Sequence, residues 1–353
     1  MKPVFTVLLA CLLGASAAKA ETNAAELDAS VTAVTPKVVA WRRDILAHPE
    51  LGNREFRTAA LVAEHLESLG MEVRTGIAHT GVVGVLRGGD GPVVALRADM
   101  DALPVTEQVD LPFASTVTTE YNGEEVGVMH ACGHDNHVAI LMGVAEVLAG
   151  LGEELPGTVL FLFQPAEEGA PEGEEGGAEL MLREGAFADP VPDAVFGLHV
   201  FPMPVGVIAS KPEGIMASAD RFTITVNGTQ THGAMPWMGV DPVVTASQIV
   251  LGLQTIPARQ LDATLTPSVV SVGRIEGGVR NNIIPETVEL EGTIRTFDAD
   301  TRADIHRRIE ATATHIAESA GATADVAVDL GYPVTRNDPD LYRRMAPTLQ
   351  RVA

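Results

Sequence analysis

Residues 130–137 read His-Ala-Cys-Gly-His-Asp-Asn-His and contain Cys132, one of two cysteines in the 353-residue chain. The other, Cys11, lies in a leader-like segment, so a chain without that segment holds one thiol and no internal disulfide. A thiol among histidines suits a borderline-soft cation. Cys132 and His134, two apart across a glycine, can reach one ion from a tight turn. The competing reading is that Cys132 is simply a small buried residue.

Two more groups could join such a site. The apolar run 158–163 ends in Gln164-Pro165-Ala166-Glu167-Glu168-Gly169. Of two adjacent carboxylates, one can bind a metal while the other takes a proton from water that the metal activates. Both could instead belong to the acidic loop holding Glu172, Glu174 and Glu175, a solvated rim. Glu167 and Glu168 follow the apolar run directly and the others do not, which favours the chemical reading. His199 follows another apolar run, 194–198. Glu168 and His199 would add an oxygen and a nitrogen to the Cys132–His134 pair. Asp99 and Asp101 stand at the end of a third run; Asp101 could orient a metal-bound histidine or cap the next turn. His130, Asp135 and His137 are expected to hold the turn in shape.

The elements that must position these residues are legible as periodicities. Helices are expected within 36–70, where apolar positions 61, 62, 66 and 69 share one face and Gly70 ends the run. Strands are expected at 81–86, 92–97, 158–163 and 194–198, and a helix at 138–151. Polar groups thus gather after several buried strands, where an open α/β sheet forms its sites. Beyond about 211 the texture changes. Strands at 221–226, 269–272 and 288–294 and helices at 241–253 and 300–320 suggest a small α+β sandwich of the split β-α-β type. The fold class is therefore α/β: an α/β/α domain with a mostly parallel sheet over 21–211, and a second, ferredoxin-like domain over 212–329.

Composition sets limits. A net charge of −23 argues against a nucleic-acid partner, which needs concentrated Lys and Arg. Residues 1–20 read as a secretory signal peptide, with Lys2, an apolar stretch over 4–13, and Ala18-Lys19-Ala20 before a start at Glu21. Leu9-Ala10-Cys11 also fits a lipoprotein site, but the apolar run continues past it. No segment is long and apolar enough to span a bilayer. The location implied is periplasmic or secreted.

Taken together, these motifs resemble the metal-dependent aminoacylase and carboxypeptidase superfamily of co-catalytic amidohydrolases. The similarity is to the branch holding N-acyl-amino-acid amidohydrolases, hippurate hydrolases and indole-acetyl-amino-acid hydrolases. It covers Trp41 to about Tyr332. Besides the Cys132 run it includes His48-Pro49-Glu50-Leu51, Arg97-Ala98-Asp99-Met100-Asp101-Ala102-Leu103-Pro104, Pro165-Ala166-Glu167-Glu168-Gly169 and Gly197-Leu198-His199. Thr231-His232-Gly233-Ala234-Met235-Pro236 and Asn282-Ile283-Ile284-Pro285 extend it. The resemblance implies two divalent metal ions, manganese or zinc, with nickel or cobalt as alternatives. Their ligands would be Cys132, His134, Glu168 and His199. It makes Glu167 the general base and Asp101 the aspartate behind the metals. It implies a lid inserted in the catalytic domain, through which many members form homodimers. His232, by itself a loop residue, matches a lid histidine that stabilises the oxyanion, and Asn282 matches a lid residue that contacts substrate. Arg280 could meet a substrate carboxylate or be a surface arginine.

Three departures accompany the match. Leu46 and Trp237 stand where many relatives have histidine, neither position being a ligand. The family's chain also returns from the lid to supply a Gly-x-Glu-Asp-Phe-like segment and a final metal-binding histidine. Residues 330–353 would begin that return, and no histidine follows Tyr332. The chain is therefore expected to be a fragment of a longer protein, with a degenerate member as the alternative. The reading that follows is a hydrolase of N-acyl amino acids or similar small amides. The alternatives are a dipeptidase or carboxypeptidase, and, in another class, a non-catalytic binding or dimerisation protein.

Overall fold

The computed structural model describes the backbone of residues 3–352 and the side chains of residues 24–352. The signal-peptide reading of 1–20 rests on side chains outside the described residues. The chain forms two compact units, Met1–Pro202 and Met203–Ala353. The expected boundary lay at 211/212, and residues 330–353 were expected to return to the first domain. They cluster with the second unit, where the strand Thr335–Asn337 pairs with Glu213–Met216. Among the described residues no helix is long and apolar enough to cross a membrane.

The first unit is built on a five-stranded sheet. Its order is Glu72–Ile77, Gly81–Arg87, Thr158–Gln164, Val93–Asp99, Ala194–Gly197. The first two junctions are antiparallel and the last two parallel, so the sheet is mixed. Thr158–Gln164 is central and buried on both faces, which explains its unbroken apolar sequence. Its side chains alternate sides: Val159, Phe161 and Phe163 join a core with Val62, Leu66, Val138 and Met142, while Leu160 and Leu162 join Val83, Ala95 and Met181. Truncating Phe161 to alanine would cost roughly 3–5 kcal/mol.

Helix Phe56–Ser68 supplies Val62 and Leu66 to that core and stops before Gly70, which takes φ +79. Helix His134–Ala149 begins four residues before the expected start at 138, so His134 and His137 sit on its first turn. Gly133 makes that start possible. It adopts φ +91, and a Cβ there would meet Val200 Cγ2 at 2.4 Å.

The second unit contains a four-stranded antiparallel sheet ordered Ser268–Gly277, Thr287–Thr296, Asp220–Asn227, Thr323–Asp329. Helices Pro242–Thr255 and Ala299–Ser319 share its core. Phe222, Ile224 and Val226 contribute at strand spacing, and Ile305, Ile309, Ala313 and Ala317 at helical spacing. The chain order β-α-β-β-α-β and this strand order are those of a ferredoxin-like sandwich. Asp220 is buried under it, held by the Arg302 guanidinium and by His306 Nε2 at 2.9 Å. His306 is thereby engaged as a structural partner.

Candidate metal centre

Strands Val93–Asp99, Thr158–Gln164 and Ala194–Gly197 run parallel, so their carboxyl ends lie at one edge. Asp99 and Asp101, Glu167 and Glu168, and His199 follow those ends, and the 132–134 turn faces the same place. Three groups of donor atoms result, each within 4.8 Å: Cys132, His134 and His199; His134, Glu167 and Glu168; Asp99, His134 and His137.

His134 is common to all three. Its Nδ1 lies 2.8 Å from the backbone oxygen of Asp101 and 3.2 Å from Asp101 Oδ1. A carbonyl oxygen can only accept, so Nδ1 carries the proton and Nε2 presents its lone pair. That Nε2 is buried and has no hydrogen-bond partner. It faces Asp99 Oδ1 at 3.7 Å, Glu167 Oε2 at 3.8 Å and Glu168 Oε1 at 3.9 Å. A buried, unsatisfied lone pair ringed by carboxylates and a thiol is what a divalent cation completes. The residues present therefore fit a metal ion. Burial alone would lower the His134 pKa, but Asp101, the nearby Cys132 thiol and the charges of Asp99 and Asp101 push it up to about 11, so in the absence of a metal ion this negative field favours a proton at Nε2, the place a cation would take.

His199 is oriented in the same manner. Its Nδ1 donates to the backbone oxygen of Val200 at 2.6 Å, leaving Nε2 3.4 Å from Cys132 Sγ. The neighbouring His134 imidazole, then the hydrogen bond with His199, hold the Cys132 thiol below its ordinary pKa, favouring the thiolate that metals bind.

The other carboxylates divide the work. Asp101 Oδ2 accepts the backbone N–H of Glu168 at 2.9 Å, so Asp101 touches both a histidine and the acidic loop. Burial, and then the charge of Asp99, raises the Glu167 pKa, against the pull of Arg97 and His134. Burial would raise Asp99 too, yet the His137 hydrogen bond and the Arg97 charge hold it well below the usual carboxylate range.

Sequence reasoning left Asp99 without a role and gave His137 only to the turn. Val200 donates its N–H to His137 Nε2 at 2.9 Å, so His137 carries its proton on Nδ1 and donates it to Asp99 Oδ1 at 2.5 Å. Arg97 in turn donates to Asp99 and to Gln164. This chain fixes the backbone beside His199. Asp135 does brace the turn, through Arg42 at 2.6 Å, whereas both ring nitrogens of buried His130 lack partners. Asn53 and Glu55, fully buried beside the acidic loop, were not singled out at all.

His232, Asn282 and Arg280 lie in the second unit. The short strands Thr231–His232 and Ile283–Ile284 pair, and Gly233 N–H donates to the Asn282 oxygen at 2.8 Å, which places His232 beside Asn282. His232 is exposed, and its Nδ1 accepts the Ala234 N–H at 3.0 Å. Arg280 is exposed in the preceding turn.

Residues 95–353 match the peptidase family M20/M25/M40. The chain is 40% identical to the N-acyl-L-amino acid amidohydrolase of Geobacillus stearothermophilus, over 89% of this chain and 81% of that one. It is 40% identical to thermostable carboxypeptidase 1 of Saccharolobus solfataricus, over 90% and 78%. A solved Bacillus subtilis structure, described as a dinuclear metal binding peptidase of the M20 family, superposes with a TM-score of 0.75 at 37% identity, covering 91% and 81%. With a mixed sheet, a gathered set of side chains able to hold a metal ion and matches of this extent, the chain belongs to the peptidase family M20/M25/M40 and is a hydrolase of its amidohydrolase and peptidase kind.

Proposed function

We propose that the protein hydrolyses the amide bond of N-acyl amino acids with the help of two divalent metal ions. The observation that carries this reading is the buried, unpartnered Nε2 of His134, with Cys132, His199 and the Glu167–Glu168 pair around it. Cys132, His134, Glu168 and His199 would hold the ions. When bound, the ions supply Lewis acidity that polarises the scissile carbonyl and acidifies water.

The chain's own groups do the rest. Glu167 takes the proton of the attacking water on a carboxylate oxygen and passes it to the leaving amine nitrogen. Its raised pKa suits both halves of that task. Asp101 fixes the His134 tautomer and, through the Glu168 N–H, the loop that carries the base. His232 is assigned to stabilise the oxyanion, and Asn282 and Arg280 to contact the substrate, on the strength of the lid motifs and the pairing of His232 with Ile283. Exposed Trp237 and Met238 suit a surface covered in a homodimer. Export to the periplasm or medium completes the proposal, supported by the leader-like 1–20 segment.

The test is hydrolysis of matched N-acetyl amino acids and dipeptides by metal-loaded and chelator-treated protein. Faster turnover of the N-acetyl series, lost with chelator, supports the reading. Preference for dipeptides moves the assignment to the carboxypeptidase side of the family, to which the Saccharolobus relative is ascribed. Bound metal without turnover of either series rejects catalysis.

A further inference from the structure

We propose that Glu55 is a positioning residue for the Glu167–Glu168 pair, acting through the backbone of Ala166. The inference rests on the roles given above to those two carboxylates.

Glu55 is fully buried, and both its oxygens are engaged. Oε1 accepts the Ala166 N–H at 2.8 Å, and Oε2 accepts the Thr80 hydroxyl at 2.5 Å. Ala166 immediately precedes Glu167 and holds φ +46, in the left-handed region. A residue with a Cβ stays there only where its surroundings fix it. Glu55 supplies the hydrogen bond at that residue.

The neighbouring residues close the same grip. A Cβ on Gly52 would lie 2.8 Å from the Gly169 oxygen and 3.1 Å from Ala166 Cβ, so this turn fits the loop only with glycine. Asn53 Nδ2 donates to the Glu175 oxygen at 3.0 Å and to Glu174 Oε2 at 3.1 Å, and Arg54 donates to both Glu174 oxygens. On its other side the turn is tied to the Asp101 segment, where the Ala102 N–H donates to the Glu50 oxygen at 2.8 Å. The 50–55 turn therefore spans the two pieces of chain that carry Asp101 and Glu167.

Two simpler roles for Glu55 do not match its contacts. It precedes helix Phe56–Ser68 but makes no side-chain cap; Glu50 accepts the N–H groups of Arg57 and Thr58 instead, both at 2.8 Å. Nor does Glu55 form an ion pair among the described residues. Its carboxylate is directed at the loop.

The experiment compares the full chain with E55A and E55Q. Glutamine can keep both contacts, its oxygen accepting from Ala166 and its amide donating to Thr80. In E55A, amide hydrogen exchange should accelerate at least about tenfold across 166–176 and stay within about twofold across 56–68. Zn²⁺ affinity by chelator competition should fall about tenfold, and kcat on N-acetyl amino acids should fall about tenfold with KM little changed. E55Q should stay within about twofold of the parent in all three. E55D, too short to make both contacts, carries the same exchange readout if E55A does not fold. Unchanged loop exchange in E55A, faster exchange confined to 56–68, or an E55Q as impaired as E55A each overturns the proposal. A parent chain inactive on N-acetyl amino acids rejects the functional reading only; exchange and metal affinity still decide the role of Glu55.

Discussion

The Asp101 carboxylate accepts the backbone N–H of Glu168 at 2.9 Å. Its second oxygen lies 3.2 Å from His134 Nδ1. One buried side chain thus sets the direction of the imidazole proposed to hold a metal ion and the position of the loop that carries the acidic pair. Replacing Asp101 with alanine should lower metal affinity roughly 10–100-fold, the usual effect of removing such a supporting carboxylate. Competition against a fluorescent chelator measures it, and parental affinity in D101A would remove Asp101 from the site.

Glu167 and Glu168 are adjacent but have different assignments. E167Q keeps the shape and removes the base. It should retain bound metal while kcat falls on the order of 10²–10⁴-fold. Metal analysis and steady-state kinetics on one preparation separate the two effects. A fully active E167Q would require another base.

The Cys132 thiol reports on the centre without any turnover. The neighbouring His134 imidazole and the hydrogen bond with His199 hold it below the ordinary thiol pKa, so the metal-free chain should be alkylated readily at neutral pH. Saturating zinc should protect it. Mass spectrometry of the peptide containing Cys132 follows the rate, and equal labelling with and without zinc would exclude the thiol as a ligand.

Glu55 should leave a signature in the pH dependence of stability. Burial is the main cause that raises its pKa from 4.5 to about 7 in the folded chain. Between those values the folded state binds more protons than the unfolded one, so unfolding free energy falls as pH rises. The loss from this group is absent below about 4.5, complete above about 7, and on the order of 3 kcal/mol. E55Q does not titrate and should show a correspondingly shallower decline between pH 5 and 8 in urea melts. An unchanged slope would mean that Glu55 is ionised throughout.

How far the site could be read before folding differs from residue to residue. The acidic pair was legible because it follows an unbroken apolar run of strand length, as a strand buried on both faces produces. The helix after Cys132 was legible from its apolar run, but its start was placed at 138; His134 and His137, on its first turn, find their partners in Asp101 and Asp99, which lie over thirty residues away. Glu55 gave no signal. Flanked by Arg54 and Phe56 it reads as an ordinary charged residue at a helix start, and its partner Ala166 is 111 positions distant.

The sequence by itself determined the two kinds of layer, the strand ends where polar groups collect, and the residue types that can hold a cation, because these depend on local periodicity and on the chemistry of single side chains. Only the tertiary structure decided which nitrogen of His134 is free, how His137 braces the backbone beside His199, and that a turn near Glu55 grips the acidic loop. Those features are hydrogen bonds between segments far apart in the chain, and their direction is set by the positions of backbone carbonyls and N–H groups once the sheet has brought the segments together.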